Sequence, residues 1–291
     1  MQLVATIIGR PGANTLTPAL ADRARDAADA SAVYFLSDGT ACDLPLRGEA
    51  DRATIVEALE GAPLDVVVQP QDRRRFPILL ADMDSTMIEQ ECIDELAAEA
   101  GVGERVADIT ARAMRGELDF EAALNERVGL LDGLDARVIE RVLETRITPA
   151  PGAAALVATM RANGGYCALV SGGFTAFTGP VAARLGFHEH RSNTLEIADG
   201  RLMGRAIPPI LGREAKVEAL HAIAAARNLS PEEVMAVGDG ANDLGMIGVA
   251  GCGVAVHAKP VVAEAAPHRI DHGDLTALLY MQGYRETDFV S

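Results

Sequence analysis

Two carboxylates stand directly after a short apolar run in Ile78-Leu79-Leu80-Ala81-Asp82-Met83-Asp84-Ser85-Thr86, and this stretch constrains the rest of the chain. Consecutive apolar residues without polar alternation predict a strand buried on both faces, the kind found in parallel sheets covered by helices. The C-terminal edge of such a sheet is where open α/β folds gather their ligands. In extended backbone Asp82 and Asp84 point the same way, and like charges that close repel unless a cation or a shared proton lies between them. Neither has a neighbouring His or Cys. A donor set of oxygen alone suits Mg²⁺ better than zinc.

At 291 residues the chain exceeds the usual single-domain size, which predicts two domains or one with a large insertion. With 49% hydrophobic residues and no Trp, it suits Ala, Val and Leu packed in helices over a parallel sheet, hence an α/β fold. A formal net charge of -16 leaves no basic footprint for nucleic acid or an anionic membrane. A phosphate group would have to be met by local residues. Cys42, Cys92, Cys167 and Cys252 are far apart, without paired spacing, and read as reduced, buried thiols of a cytoplasmic protein. The first residues lack a basic start followed by an apolar stretch, and no apolar run reaches the length of a membrane span, so a soluble, unprocessed protein is expected.

The N-terminal part predicts a strand at 3–8, a helix at 17–28, strands at 32–36 and 42–45 joined through Ser37-Asp38-Gly39, a helix at 52–59 and a strand at 64–68. The order βαββαβ is a ferredoxin-like plan. Residues 69–77, with two prolines and Arg73-Arg74-Arg75, read as a solvated linker. After Thr86, four helical stretches at about 90–100, 104–115, 120–131 and 136–146 predict a helical insertion over about 88–148, beside the strand that carries Asp82. From residue 153 onward strands and helices alternate: a helix to 162, strands at 167–170, 234–237 and 253–256, a hairpin-like segment around Asp199-Gly200, a helix at 214–226 and a last helix from Leu275. That alternation is the pattern of a doubly wound core.

Two further strand ends carry chemistry. Val170-Ser171-Gly172-Gly173-Phe174 ends a strand with a hydroxyl, and its glycines leave backbone N–H groups free to approach an anion ahead of a helix; a plain strand-to-helix turn has the same pattern. Val237-Gly238-Asp239-Gly240-Ala241-Asn242-Asp243 offers two carboxylates and an amide, which could complete a Mg²⁺ site with Asp82 and Asp84. Gly238 and Gly240 also imitate a dinucleotide loop, but Asp243 replaces the third glycine and acidic side chains repel a pyrophosphate. Lys216, in a helix, is by itself an ordinary solvated lysine.

The motifs at Asp82 to Thr86, Ser171 to Gly173, Lys216 and Asp239 to Asp243 occur in the order found in the haloacid dehalogenase (HAD) superfamily, which this chain resembles. Inside the insertion, Glu91-Cys92-Ile93-Asp94-Glu95, Ala113-Met114-Arg115-Gly116, Asp119-Phe120 and Arg127-Val128 are similar to the phosphoserine phosphatases, and the likeness covers about 78–285. The resemblance implies a HAD-type doubly wound, Rossmann-like core at 78–291 with a helical cap. The implied reaction is Mg²⁺-dependent hydrolysis of O-phospho-L-serine to serine and phosphate, the last step of serine biosynthesis, through an aspartyl phosphate. Asp82 would be the nucleophile and Asp84 the general acid, with Ser171, Gly172, Gly173 and Lys216 around the phosphoryl group. Glu91 and Arg127 would hold the ammonium and the carboxylate, Met114 and Phe120 would line the cap, and Mg²⁺ would be held by Asp82, the Asp84 carbonyl and Asp239, with Asn242 and Asp243 in support. Alternatives are another small phosphomonoester, or phosphoryl transfer to an alcohol such as homoserine. Residues 1–72, with Arg10-Pro11-Gly12 in the first loop, resemble ACT domains, whose sheets often pair, so a homodimer is expected; a plain packing domain is the competing expectation.

Overall fold

The computed structural model describes residues 2–48, 51–114 and 117–290, with the Met114 side chain left out. The N-terminal part forms β1 (Leu3–Gly9), α1 (Pro18–Ala27), β2 (Tyr34–Ser37), β3 (Ala41–Pro45), α2 (Arg52–Ala58) and β4 (Leu64–Pro70). Thr17 caps α1 by accepting from Leu20 N, and Pro18 at the first helical position loses no hydrogen bond. The antiparallel order is β2-β3-β1-β4, the ferredoxin-like arrangement expected from βαββαβ.

β1 is buried on both faces because alternate residues point opposite ways into two different cores. Ala5 and Ile7 pack with Ala21, Ala24 and Ile55 of the two helices, whereas Ile8 and Val67 join the main core of the chain. This second face is a seam with the C-terminal part. Asp65 accepts from the backbone N–H groups of Asp271 and Gly273 at 2.8 Å each, and Gln69 Nε2 donates to the Met281 carbonyl.

Two of the three arginines expected in a solvated linker, Arg74 and Arg75, make contacts in the same seam, while Arg73 is exposed as expected. β4 runs on to Pro70, Arg74 pairs with the buried Asp43 at 2.7 Å, and the Arg75 guanidinium stacks 3.4 Å from the Tyr284 ring centroid. Asp43, a carboxylate inside a sheet, requires a charged partner, and Arg74 is within reach. That requirement cannot be read from local sequence.

The rest of the chain winds around β5 (Ile78–Ala81). Four helices follow it: α3 (Cys92–Glu99), α4 (Gly103–Met114), α5 (Phe120–Gly129) and α6 (Arg137–Thr145). Then come α7 (Ala153–Ala162), β6 (Tyr166–Phe174), α8 (Thr175–Leu185), β7 (Glu189–Ala198), β8 (Arg201–Ile207), α9 (Arg213–Ala226), β9 (Val234–Gly238), α10 (Leu244–Val249) and β10 (Cys252–Val256). The chain closes with α11 (Pro260–Ala265), β11 (His268–Ile270) and α12 (Ala277–Met281). The sheet order is β11-β10-β9-β5-β6-β7-β8, parallel except for β8.

β6 and β9 flank β5 on opposite sides, so the strand order switches at β5 and a crevice opens at the C-terminal ends of all three. The helical insertion stands over that crevice. The β7–β8 hairpin reaches it from the core: Leu202 N donates to the Leu134 carbonyl and Gly133 N to the Leu202 carbonyl. α11 and β11 are too short for periodicity to announce them.

Candidate active site

Asp82 leaves β5 with its N–H still donating to the Val237 carbonyl of β9 at 3.0 Å. The loop then coils tightly. The Met83 carbonyl accepts from the N–H groups of Thr86, Met87 and Ile88, and Ser85 takes a left-handed φ of 56°. The coil separates the two carboxylates that an extended chain would place together. Asp82 faces the end of β9, whereas Asp84 Oδ1 accepts from Cys92 N at the start of α3 (2.9 Å) and Oδ2 from Ser171 Oγ (3.3 Å). A Cβ on Gly173 would stand 2.8 Å from Asp84 Oδ2, so the second glycine is required by close approach. One of the two N–H groups expected to face an anion is occupied: Gly173 N donates to Ser171 Oγ at 2.8 Å.

Lys216 is not a surface lysine. It is 2% exposed, and Nζ lies 2.6 Å from both Asp243 Oδ1 and Asp82 Oδ1. The contact to Asp243 has hydrogen-bond geometry, and the one to Asp82 is an ion pair with a poorer angle. Burial works to lower the Lys216 ammonium, but Asp82 and Asp243 outweigh it and hold the lysine protonated. Burial raises Asp82 well above the usual carboxylate range, with the Asp243 charge adding and Lys216 opposing.

Carboxylate oxygens of Asp82, Asp239 and Asp243 lie within 4.8 Å of one another. Both Asp243 oxygens have donors, Lys216 Nζ and Gly240 N, whereas one oxygen of Asp239 accepts from Thr86 Oγ1 at 2.9 Å. A hard cation fits this place: the donors are all oxygen, and three carboxylates converge with the Lys216 ammonium shared by two of them. Asp82 and Asp239 are the carboxylates with capacity to bind it, and Asp243 braces Lys216. The Asp84 carboxylate, turned towards Cys92 and Ser171, is outside the cluster.

A cavity of about 480 Å³ opens above these groups, lined by Asp82, Asp84, Ser171, Gly172, Gly173, Asp239 and Asn242 on the core side and by Glu91, Phe120 and Arg127 on the insertion side. Phe120 stands over Gly172, where a Cβ would come 3.1 Å from its ring. Glu91 accepts from Ser85 Oγ at 2.9 Å; dehydration in the cleft, with the Asp84 charge adding, pushes its carboxyl up to about 7. Burial lowers Arg127, opposed by the nearby Asp94 and Glu91. Opposite charges thus face one cavity. α4 ends at Met114, whose side chain, like residues 115 and 116, lies outside the described residues.

Three contributors escaped the sequence reading. Thr86 ties the first acidic motif to the third. Asn193, 1% exposed on β7, donates to the Gly172 carbonyl (2.8 Å) and accepts from Leu211 N (2.7 Å), fixing the glycine turn to the segment before α9. Lys259 lines the cavity beside Asp239. Thr86 closes the motif that opens at Asp82 but had no role of its own there, and for the other two a polar Asn inside a strand was the nearest thing to a signal.

Comparison with known proteins agrees with this geometry. The chain is 41% identical over 291 aligned residues to a phosphoserine phosphatase of Streptomyces coelicolor, spanning 96% of this chain and 70% of that protein. In structure it is similar to a HAD-family hydrolase from Salmonella enterica serovar Typhi (TM-score 0.83, 31% identity, 97% of this chain and 98% of that one). It is also similar to a probable phosphoserine phosphatase from Vibrio cholerae (TM-score 0.80, 30% identity, 99% and 88%). Among the described residues no helix is long and apolar enough to cross a membrane. With residues 79–247 matching the haloacid dehalogenase-like hydrolases, and the acidic motifs meeting at the end of β5, the chain belongs to that family.

Proposed function

We propose that the protein is a phosphoserine phosphatase, hydrolysing O-phospho-L-serine to serine and phosphate with Mg²⁺. The observation that carries the reading is that Glu91 and Arg127, both on the insertion side, line the cavity that Asp82 and Asp84 also line. Phosphoserine offers an ammonium and a carboxylate for discrimination, and a carboxylate with a guanidinium is the matching pair. The phosphoserine phosphatases among the similar proteins support the same substrate.

Uncatalysed hydrolysis of a phosphate monoester is among the slowest known reactions, and its enzymes supply on the order of 20 kcal/mol or more. Here Asp82, whose charged form the adjacent Lys216 ammonium favours, attacks phosphorus, and the bond from phosphorus to the serine oxygen breaks. Burial favours the protonated form of Asp84, which gives its proton to the departing oxygen. Water then attacks phosphorus in the aspartyl phosphate, Asp84 takes a proton from it, and phosphate leaves with Asp82 restored. Lys216 fixes the Asp82 carboxylate for attack, while the Ser171 hydroxyl orients Asp84. A Mg²⁺ ion held by Asp82, Asp239 and the Asp84 carbonyl would supply positive charge to the phosphoryl oxygens.

Residues 1–72 form an ACT-like domain in this reading, and the edge strand β2, with Tyr34 57% exposed, supports pairing of two chains. Phosphate release from phosphoserine, dependent on Mg²⁺ and lost in Asp82→Asn, tests the function. Mg²⁺-dependent turnover of other phosphomonoesters with none of phosphoserine would replace the substrate.

A further inference from the structure

We infer that Lys259 is a substrate-binding cation that engages the substrate's phosphoryl oxygens from the open side of the cleft. The inference rests on the phosphatase reading above. Of the charged groups facing the cavity, Asp82, Asp84, Glu91 and Asp239 are acidic, and the entering group is a phosphate dianion. Lys216 does not face the cavity and is engaged by two carboxylates at 2.6 Å. Arg127 belongs to the other end, where the charges acting on it are those of Asp94, Glu91 and Asp84.

Lys259 is the remaining cation of the wall, and among the described residues no carboxylate oxygen lies within 4.0 Å of its ammonium. Its place is set by the fold. β10 runs parallel to β9 with Ala255 opposite Gly238, so the chain leaves β10 at the same sheet edge as Asp239. His257 then adopts a left-handed φ of 47°, and its N–H donates to the Ile270 carbonyl at 2.9 Å, turning the chain across that edge. Pro260 holds the residue before it in extended backbone, and Lys259 is found at φ -59° and ψ 148°. The Lys259 charge is felt at Asp239, the phosphoryl end of the cavity. An exposed, unpaired ammonium held there contacts a phosphate without first breaking an ion pair.

The experiment uses the full chain with Lys259→Met, Lys259→Glu and Lys259→Arg, measuring kcat and KM for phosphoserine and for p-nitrophenyl phosphate at low and high salt. Loss of one charged phosphate contact raises KM roughly tenfold for both esters in the Met variant and further in the Glu variant. The Arg variant restores KM, and the salt dependence of kcat/KM flattens when the charge is gone. Melting temperatures unchanged across the three variants exclude a purely structural effect. An unchanged KM, an effect on phosphoserine alone, or failure of Arg to restore binding each overturns the assignment. Titration of inorganic phosphate into wild-type and Met proteins by calorimetry reads the same contact without turnover, and equal affinities overturn it as well. If phosphoserine is not a substrate but the aryl ester or phosphate still distinguishes the variants, the substrate reading fails while the role of Lys259 stands.

Discussion

The Thr86 hydroxyl donates to Asp239 Oδ1 at 2.9 Å, joining the loop after β5 to the loop after β9. The bond orients the carboxylate that, with Asp82, can hold a cation. Removing such an orienting partner typically costs 10- to 100-fold in metal affinity. Thr86→Val, nearly the same shape without the hydroxyl, is therefore expected to raise the Mg²⁺ concentration for half-maximal activity roughly tenfold, with Thr86→Ser close to wild type. Unaltered magnesium dependence in the valine variant would show that the bond is incidental.

Lys216 offsets part of the charge of three converging carboxylates, and a cation held by Asp82 and Asp239 would offset more of it. A ligand that binds only the folded state stabilises it by mass action. Saturating Mg²⁺ should raise the melting temperature of the wild-type protein by several degrees, and chelation should reverse the gain. In Asp239→Asn the gain should shrink or vanish. Equal gains in both proteins would place the ion elsewhere.

Arg127 is half-buried at the insertion side of the cavity, with its Nε donating to the Ala123 carbonyl. Arg127→Ala should raise KM for phosphoserine on the order of 100-fold, the loss of a bidentate charge-assisted pair, while hydrolysis of p-nitrophenyl phosphate changes little. Equal losses on both substrates would remove Arg127 from carboxylate recognition.

The Glu91 carboxyl, about 7 in the folded protein, titrates at the ordinary 4.5 once unfolded. Between those values the native state holds a proton that the unfolded chain has released, so this group's contribution to stability falls as pH rises through the window and levels off above it. Metal-free Glu91→Gln should melt higher than wild type, by more at pH 8 than at pH 5.5. Identical differences at the two pH values, in scanning calorimetry, would contradict the raised value.

All four cysteines are buried and free. Burial pushes the thiols of Cys42, Cys167 and Cys252 up to about 12 and raises Cys92 further, with the Asp84 charge adding, so almost no thiolate exists at neutral pH. Iodoacetamide at pH 8 should leave the native protein unmodified over an hour and label four sites once it is unfolded, as read by intact mass. Rapid labelling of the native chain at any of them would mean that its neighbourhood opens.

The buried run at Ile78 to Ala81, the acidic ends of β5 and β9 and the small residues after Val170 were legible along the chain because each is a local pattern: hydrophobic length sets the strand, and side-chain type sets the chemistry at its end. The same holds for the βαββαβ order and for the helical insertion. Lys216 looked like any helical lysine, and Arg74 like a linker charge, since neither is distinguished by its neighbours in sequence.

What the chain fixed by itself was which chemical groups stand at strand ends, since period and residue type are properties of adjacent positions. Strand order decided the rest. By placing β9 and β6 on either side of β5, it brought Asp243 to Lys216 and Asp239 to Thr86, buried the lysine between two carboxylates and turned Asp84 towards Ser171. Burial and electrostatic coupling depend on distances through space between residues far apart in the chain, and only the folded arrangement sets those distances.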